Sequence, residues 1–500
     1  MGTGNFWVDT GLVVLAHGLG EGDHTIDEVR CWLLDKLTRK TENKGQYYDL
    51  TSGQLRPYEK TNWIYPTNLF IKVAGAPGPK VNIGGQTYPT QPPIYDLNLD
   101  LSKKLGICDI CGQQAPLTDA KMWMLPLLVD PDKFGNFYPG LKRGTKLCAR
   151  CALAGAAAYL GWFWKAQGQD ALHIFVFHSQ MGSLDHLHRS VLRPLQQAQQ
   201  GKGGNAPVAF SGPYVHETAL GLLLELFSHA RSSDLLDEDG RQALAELLGA
   251  TPAPPAPLTL YAISGKPARA FQMTALREFT RLHDLFYLYE RWLEEVSGLD
   301  HNPHDRVVRI FKQFQTQRQG KWESLWRDRI AWAVLTFDDP FPSVEEFLYE
   351  VRAREEPLRP LEWGTLEIFA KYAREVMGMD EQFQRTLAAF GHRLGDKANA
   401  QKEMGLLYDL RNAKNPEAFY RVLNDAQFRL ETQIPEALLR IEKGERIAGV
   451  PWLRVKTILS IYAMNAYLLR KVGTAEESST ASEAIASRED QDKSVDRGRE

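Results

Sequence analysis

Four of the five cysteines form two pairs of identical spacing, Cys108-Asp-Ile-Cys111 and, after 36 intervening residues, Cys148-Ala-Arg-Cys151. Each pair can present two thiolates from a tight knuckle. Two knuckles complete a tetrahedral four-sulfur site for zinc, with no position left for water, so the site is structural rather than catalytic. Gly112, directly after the second ligand, suits the turn such a knuckle makes. Two redox-active disulfides or four unconnected thiols are the alternatives; the doubled spacing favours the metal. Cys31 stands apart.

Between the pairs, Phe134, Phe137, Tyr138, Lys142, Arg143 and Lys146 make a basic and aromatic finger of a composition that can touch nucleic acid or simply be a solvated loop. Lys266, Arg269, Arg277, Arg281 and Arg291 alternate with Phe271, Phe279, Phe286, Tyr287 and Tyr289, again suited to phosphate neutralisation and stacking. An amphipathic helix burying its rings would look the same. His283-Asp284 and His304-Asp305 have the composition of nuclease metal ligands, yet such dipeptides are common by chance. HGLGEG, from His17, lacks the Lys-Ser/Thr of a phosphate loop and the third spaced glycine of a dinucleotide fingerprint, and reads as a turn after a short strand. His178, Ser179, His186 and His188 have neither a nucleophile elbow nor a marked acid partner. No catalytic residue is assigned.

The elements that must position these residues follow from pattern. In a chain of 500 residues, 43% hydrophobic and 24% charged, two to four folded domains are expected, and wholesale disorder or a disulfide scaffold is excluded. The net charge of −3 gives no overall footprint for nucleic acid. Residues 473–500 hold eight acids against four bases, whereas 357–472 hold 18 bases against 14 acids. The absence of a basic, apolar leader and of a long uncharged apolar run predicts neither secretion nor a membrane span, and the sparse cysteines fit a reducing cytoplasm.

The first hundred residues read as α/β, with the helix Ile26–Leu37 beside short apolar runs. AGAPGPKVNIGGQTYPTQPP, residues 74–93, reads as a long surface loop, and Gly201–Asn205 as a second. CALAGAAAYLGWFWKA, residues 151–166, reads as a helix buried all round, and ALHIFVFHS, residues 171–179, as a central strand. From Val215 onward the pattern is helical: 217–230, 237–248, 271–296, 305–314, a helix opened by a Ser343/Glu346 capping box, then 362–377, 380–391, 397–410, 416–430, 435–443 and 451–471. The fold class is α+β: a mixed body over 1–342 with a zinc knuckle inserted at about 101–155, a helical bundle over 343–472, and an acidic, disordered tail over 473–500.

Three stretches resemble one family, the large subunit of type I CRISPR Cascade complexes of the type I-B-like, zinc-bearing branch. They are GNFWVDTGLVVLA (4–16), the CxxC pairs with the small-residue helix that follows, and YDLRNAKNPEAFYRVLNDAQFRL (408–430) with VKTILSIYAMNAYLLR (455–470). The resemblance implies a non-catalytic, RNA-guided DNA-binding role, in which guide pairing reads the sequence and the protein reads a short adjacent motif and holds the displaced strand. It implies as partners the guide RNA, target duplex DNA and its displaced strand, the Cascade backbone and small subunits, and a helicase-nuclease or transposon-targeting protein. The bundle resembles the separate small subunit. Within that frame a groove reader needs polar side chains on a loop, which selects Lys80, Asn82 and Gln86 in the first loop and Lys202 and Asn205 in the second. Lys266 and Arg269 are further candidates, and Arg411, Lys414 and Arg421 are assigned to the displaced strand. The alternative is a zinc-ribbon nuclease using the histidine-aspartate pairs.

Overall fold

The structure, a computed structural model, describes residues 2–20, 22–63, 78–121, 123–125, 144–168, 170–199, 203–250, 256–266, 271–298, 301–318 and 320–472. Two compact units divide the chain, 1–286 and 287–500. The first mixes helices and strands around the four cysteines, and the second is helical with two short hairpins, giving the α+β class.

The first unit opens with α1 (Phe6–Leu19), where a strand before a glycine loop was expected. The cause is local: the Asn5 side chain accepts from the amides of Trp7 at 3.1 Å and Val8 at 3.0 Å, an N-cap that starts a helix whatever the apolar run behind it. Next come α2 (Ile26–Leu37), with a complete Thr25/Glu28 capping box, and the two-stranded ribbon β1 (Thr38–Asp49) and β2 (Gln54–Trp63). The expected loop at 74–93 contains a hairpin, β3 (Lys80–Ile83) with β4 (Gln86–Pro89). Gly84 and Gly85 both take positive φ, 60° and 82°. The glycines there form a two-residue hairpin turn, not an unstructured run.

A three-stranded sheet, β5 (Leu105–Ile107), β6 (Gln114–Asp119) and β7 (Lys146–Cys148), leads into α3 (Ala149–Ala157). The small-residue helix ends there, and the chain turns into a four-stranded antiparallel sheet. Its strands are β8 (Phe163–Gln167), β9 (Ala171–His178), β10 (Thr259–Lys266) and β11 (Gln272–Phe279), in the order β11-β10-β9-β8. As expected, β9 is internal. Leu172, Ile174 and Val176 join the α1 and α3 core, while Phe177 faces the other way onto Leu187, Val191, Leu223 and Phe227. Both faces being covered explains why Ala171 through Phe177 are all buried. The expected helix 271–296 is half strand, because Phe279 packs inward from an edge strand and a helix begins only at Leu282. Among the helices of this unit, α4 (Met181–Leu187) and α5 (Arg193–Ala198) are joined by a π turn, His188–Leu192. Pro194 has no N–H to offer the preceding turn, which accounts for the widened winding. The unit also holds α6 (Val215–Arg231) and α7 (Glu238–Leu247).

The sequence signature 4–16 is explained by packing. The Trp7 indole N–H donates to the Gly155 carbonyl at 2.9 Å, and a Cβ on Gly11 would lie 1.7 Å from the Ala154 carbonyl oxygen. The backbones of α1 and α3 therefore touch. Asp9, 2% exposed, takes hydrogen bonds from the Thr3 amide, the Thr3 hydroxyl and the Gly4 amide. Burial raises its pKa, but these bonds and that with His178 outweigh it and hold the carboxyl below its ordinary value.

Most of α8 (Leu282–Val296) belongs to the second unit, followed by α9 (Pro303–Lys312), the hairpin β12 (Thr316–Arg318) and β13 (Lys321–Glu323), α10 (Leu325–Thr336) and α11 (Phe341–Glu350). The Ser343/Glu346 capping box does not form: Pro342 sits in the first turn, so the helix has already begun before Ser343. Then come α12 (Thr365–Glu375), α13 (Glu381–Ala400), α14 (Met404–Asn412), α15 (Pro416–Arg429) and, after the hairpin β14 (Arg446–Ile447) with β15 (Val450–Pro451), α16 over 452–472. The expected helix 435–443 is a single turn, Glu436–Leu438. The expected helices 380–391 and 397–410 divide later than their spans imply: α13 runs unbroken through Gly391 and Gly395. Their absent Cβ atoms would meet Tyr462 Cβ at 2.4 Å and the Ala463 carbonyl at 2.1 Å, so they let α16 approach instead of ending the helix. Asn415 caps α15 as its sequence implies, accepting from the Ala418 amide at 2.8 Å, with Phe419, Leu423 and Ala426 on the buried stripe. Asn415→Ala should lower stability by about 1 kcal/mol, read as a shifted denaturant midpoint for the helical signal with unchanged m-value.

Candidate metal centre and nucleic-acid contacts

The two knuckles are built differently. The first is the turn between β5 and β6, closed by Gly112 N–H to Cys108 C=O and Cys108 N–H to Gln113 C=O, both 2.9 Å. The second is the junction of β7 and α3: Cys148 is the last residue of the strand and Cys151 lies in the first helical turn. Strand pairing of Leu117 with Cys148 brings the second knuckle over the first, and the Cys148 amide donates to Cys108 Sγ at 3.3 Å. The four Sγ atoms lie within 4.8 Å of one another, so the cysteines are positioned to hold a metal ion. The donor set fits: Cys111 and Cys148 Sγ are 3.8 Å apart, close to the about 3.8 Å edge of a tetrahedron with metal–sulfur bonds of about 2.3 Å.

Electrostatics point the same way. Hydrogen bonding from Cys151 draws the Cys148 thiol down to about 5, against burial. The Cys148 sulfur and burial push Cys151 up, and burial pushes up Cys111. Thiolates packed this closely repel one another, a conflict that a divalent cation resolves. Cys108, Cys148 and Cys151 are buried, which shields such a cation from solvent. Of the finger between the pairs, only Lys146 falls among the described residues; its ammonium pairs with Asp119.

The sequence-selected polar residues are scattered. Lys80, Asn82 and Gln86 are exposed on the β3–β4 hairpin, but the register pairs Asn82 with Thr87 and Ile83 with Gln86. Lys80 and Asn82 therefore share one face and Gln86 lies on the other. Asn205 holds its loop to β8: its Oδ1 accepts from the Trp164 amide at 2.7 Å and its Nδ2 donates to the Trp162 carbonyl at 3.0 Å. Lys202 and Arg269 lie outside the described residues, as does the tail 473–500. Lys266 is exposed at the end of β10.

Arg411 is engaged internally, 2.6 Å from Glu350 and 5.0 Å from the centre of the Tyr349 ring. Lys414 is exposed, and Arg421 is exposed beside Glu417 at 3.1 Å. In the 264–291 stretch, Phe279 and Phe286 are core residues of the first unit, and Tyr289 is a core residue of the second.

His304 and Ser179 are held by local partners. His304 Nδ1 is 2.9 Å from the Tyr289 hydroxyl, and the Ser179 hydroxyl donates to the Pro257 carbonyl at 2.7 Å. Among the described residues, the four cysteines are the one group of three or more His, Cys, Asp or Glu placed to share an ion. Sequence reading missed the β1–β2 ribbon, which displays Arg39, Lys40, Lys44 and Lys60 with Tyr47 and Tyr58. Its signal was the Thr-Ser-Gly turn at 51–53 between two polar, aromatic runs. Among the described residues no helix is long and apolar enough to cross a membrane. No family model matches the chain, and no curated protein matches it.

Proposed function

We propose that this chain is the large subunit of a type I CRISPR surveillance complex, an RNA-guided DNA-binding particle, and that its four cysteines hold a structural zinc ion. The supporting observation is that two of the three resembling stretches, residues 4–16 and the small-residue helix Ala149–Ala157, form one packed body. The helix of the 4–16 signature lies backbone to backbone on the small-residue helix that begins at the second CxxC pair. Under this reading the zinc ion ties the two knuckles into a rigid base, the exposed hairpins meet the DNA beside the target, and the positive helical region follows the displaced strand. The chain makes and breaks no bonds; it positions strands that pair with a guide.

The experiment is DNA binding by the reconstituted complex across a library of flanking motifs. A flanking-motif preference that changes when Lys80 and Asn82 become alanine supports the reading; a complex that binds as well without this chain refutes it. Cleavage of DNA by the complex in manganese or magnesium, with no helicase-nuclease present, would favour the nuclease alternative.

For the displaced strand, Lys414→Ala with Arg421→Ala is the informative pair, because Arg411→Ala would also break its contacts with Glu350 and Tyr349. Two lost single-strand phosphate contacts should lower the slope of log K against log salt by about 1.4, whatever the target sequence. Titration of target DNA at four salt concentrations reads this directly.

A further inference from the structure

The four-stranded sheet of the first unit has two edges, and they end differently. At β8 the edge is closed by the loop that follows α5: the Ala166 amide donates to the Gly203 carbonyl at 3.0 Å, the Asn205 amide to the Trp164 carbonyl at 3.1 Å, and Lys165 bridges Gly204. At β11 nothing of the kind is present among the described residues, where β10 is its one strand neighbour. Six of its eight residues are exposed, so its outer edge faces solvent. An open edge of this length is a template for another strand.

The register fixes which side chains line that edge. Leu276 stands opposite Ile263 and Glu278 opposite Tyr261, so both lie on the face covered by α1, where Phe6 stacks on Tyr261 with ring centres 4.1 Å apart. Ala275 and Arg277 lie on the other face, where Arg277 Nε donates to His216 of α6 at 3.3 Å. Strict alternation would put Met273 with them. The bulge at Thr274, between the pairs Ser264–Ala275 and Gly265–Met273, instead returns Met273 to the face of Leu276. The cover of α1 reaches Tyr261 of β10 but leaves Met273 49% and Leu276 42% exposed. Backbone and side chains together select one kind of ligand, an extended strand with an apolar residue on the α1 side of the sheet.

The sequence of β11 is itself such a strand. Across a two-fold axis normal to the sheet, antiparallel pairing sets each residue opposite one of the same face, so the register must be centred on a residue. Centred on Leu276, it sets Leu276 against Leu276, Ala275 against Arg277 and Thr274 against Glu278, with no like charges opposed. Centred on Arg277, it would oppose two guanidiniums. Centred on Ala275, it would set Leu276 against Thr274 and Met273 against Arg277, apolar on polar.

We infer that two copies of this chain pair through β11, antiparallel and centred on Leu276, so that two four-stranded sheets become one of eight. The short facing run, Thr274–Glu278, is far smaller than the roughly 20–30 residues a side of a standard interface, so the dimer is weak and forms only at high concentration. The inference rests on the sheet edge alone, not on the family reading, and it is tested on the isolated full-length chain.

Sedimentation equilibrium from about 1 μM to about 300 μM covers the range in which so small an interface dissociates. A monomer–dimer equilibrium is expected that stops at the dimer, because a two-fold contact closes on itself. Leu276→Lys sets two ammonium groups face to face and should weaken the dimer at least tenfold, with an unchanged melting temperature because the side chain is exposed. Leu50→Lys, at an exposed apolar side chain between β1 and β2, should leave it within twofold. Leu276→Cys, made together with Cys31→Ser to remove the exposed native thiol, reads the register. Its two Cβ atoms would lie about 4.5–5.5 Å apart and should join in a disulfide when oxidised glutathione is added. Gln272→Cys in the same background would lie about 27 Å from its mate along the strand and should not. A chain that stays monomeric throughout, an assembly that grows past the dimer, equal losses from Leu276→Lys and Leu50→Lys, or equal cross-linking of the two cysteine variants would overturn the proposal. The first of these outcomes would leave the edge to a strand of a different protein.

Discussion

Cys151→Ser is expected to abolish metal retention and to unfold the first unit. The wild-type chain should carry about one equivalent of zinc and the variant essentially none, measured by mass spectrometry of the metal on purified protein. Cys151 is fully buried beside three other sulfurs, so serine leaves an incomplete ligand set inside the core rather than at its edge. Binding a structural zinc contributes on the order of 10–16 kcal/mol in small zinc modules, as much as the roughly 5–15 kcal/mol total stability of an ordinary domain. Cys148 and Cys151 also belong to the core shared by α1, α3 and β9. The damage should therefore extend well beyond the knuckles. Circular dichroism should show loss of the cooperative transition of the first unit and survival of a helical one. Chelation of the wild type should reproduce the same trace. A variant that melts like the wild type and retains no metal would show that the core stands without an ion.

Gly11→Val is expected to be nearly as damaging, with no ligand lost. The added Cβ alone would lie 1.7 Å from the Ala154 carbonyl oxygen and 2.5 Å from its carbon, so the helices must separate. Overpacking typically costs about 1–3 kcal/mol where side chains can shift. Here the obstacle is backbone, and at least about 3 kcal/mol is expected. A denaturant titration reads it as a lower midpoint for the first unit. Gly182→Ala supplies the opposite sign in the same unit. It lies in α4 with open space around it, and alanine there should be neutral or stabilise by up to about 1 kcal/mol.

The sequence was most legible where a local rule carried the structure alone. Cysteine spacing located the metal-binding cluster, Asn415-Pro416 located a helix start, and the aromatic, β-branched run at 171–178 located the central strand. It was least legible where the meaning of a residue depends on a distant partner. The expected break between 391 and 397 is absent, and Gly391 and Gly395 serve instead to receive α16, some 70 residues later. The arginines near 277–291 looked available, yet Arg281 and Arg291 pair with Asp284 and Glu294 one turn away. Lys36, Arg39 and Arg193, which line one cavity of the first unit, were illegible as a group for the same reason: they come one each from α2, β1 and the start of α5, too thinly spread for any window of sequence to register a basic patch.

The contact between Trp7 and Gly155 spans 148 positions. At about 5–20 residues per second, a ribosome needs on the order of ten to thirty seconds to deliver the second partner after the first. Throughout that interval α1 lacks α3, the helix its backbone rests on. Its greasy face would be open to chaperones or to neighbouring chains until the second cysteine pair emerges. Metal supply during synthesis, more than the composition of the final buffer, would then govern how much usable product a cell or an expression host recovers.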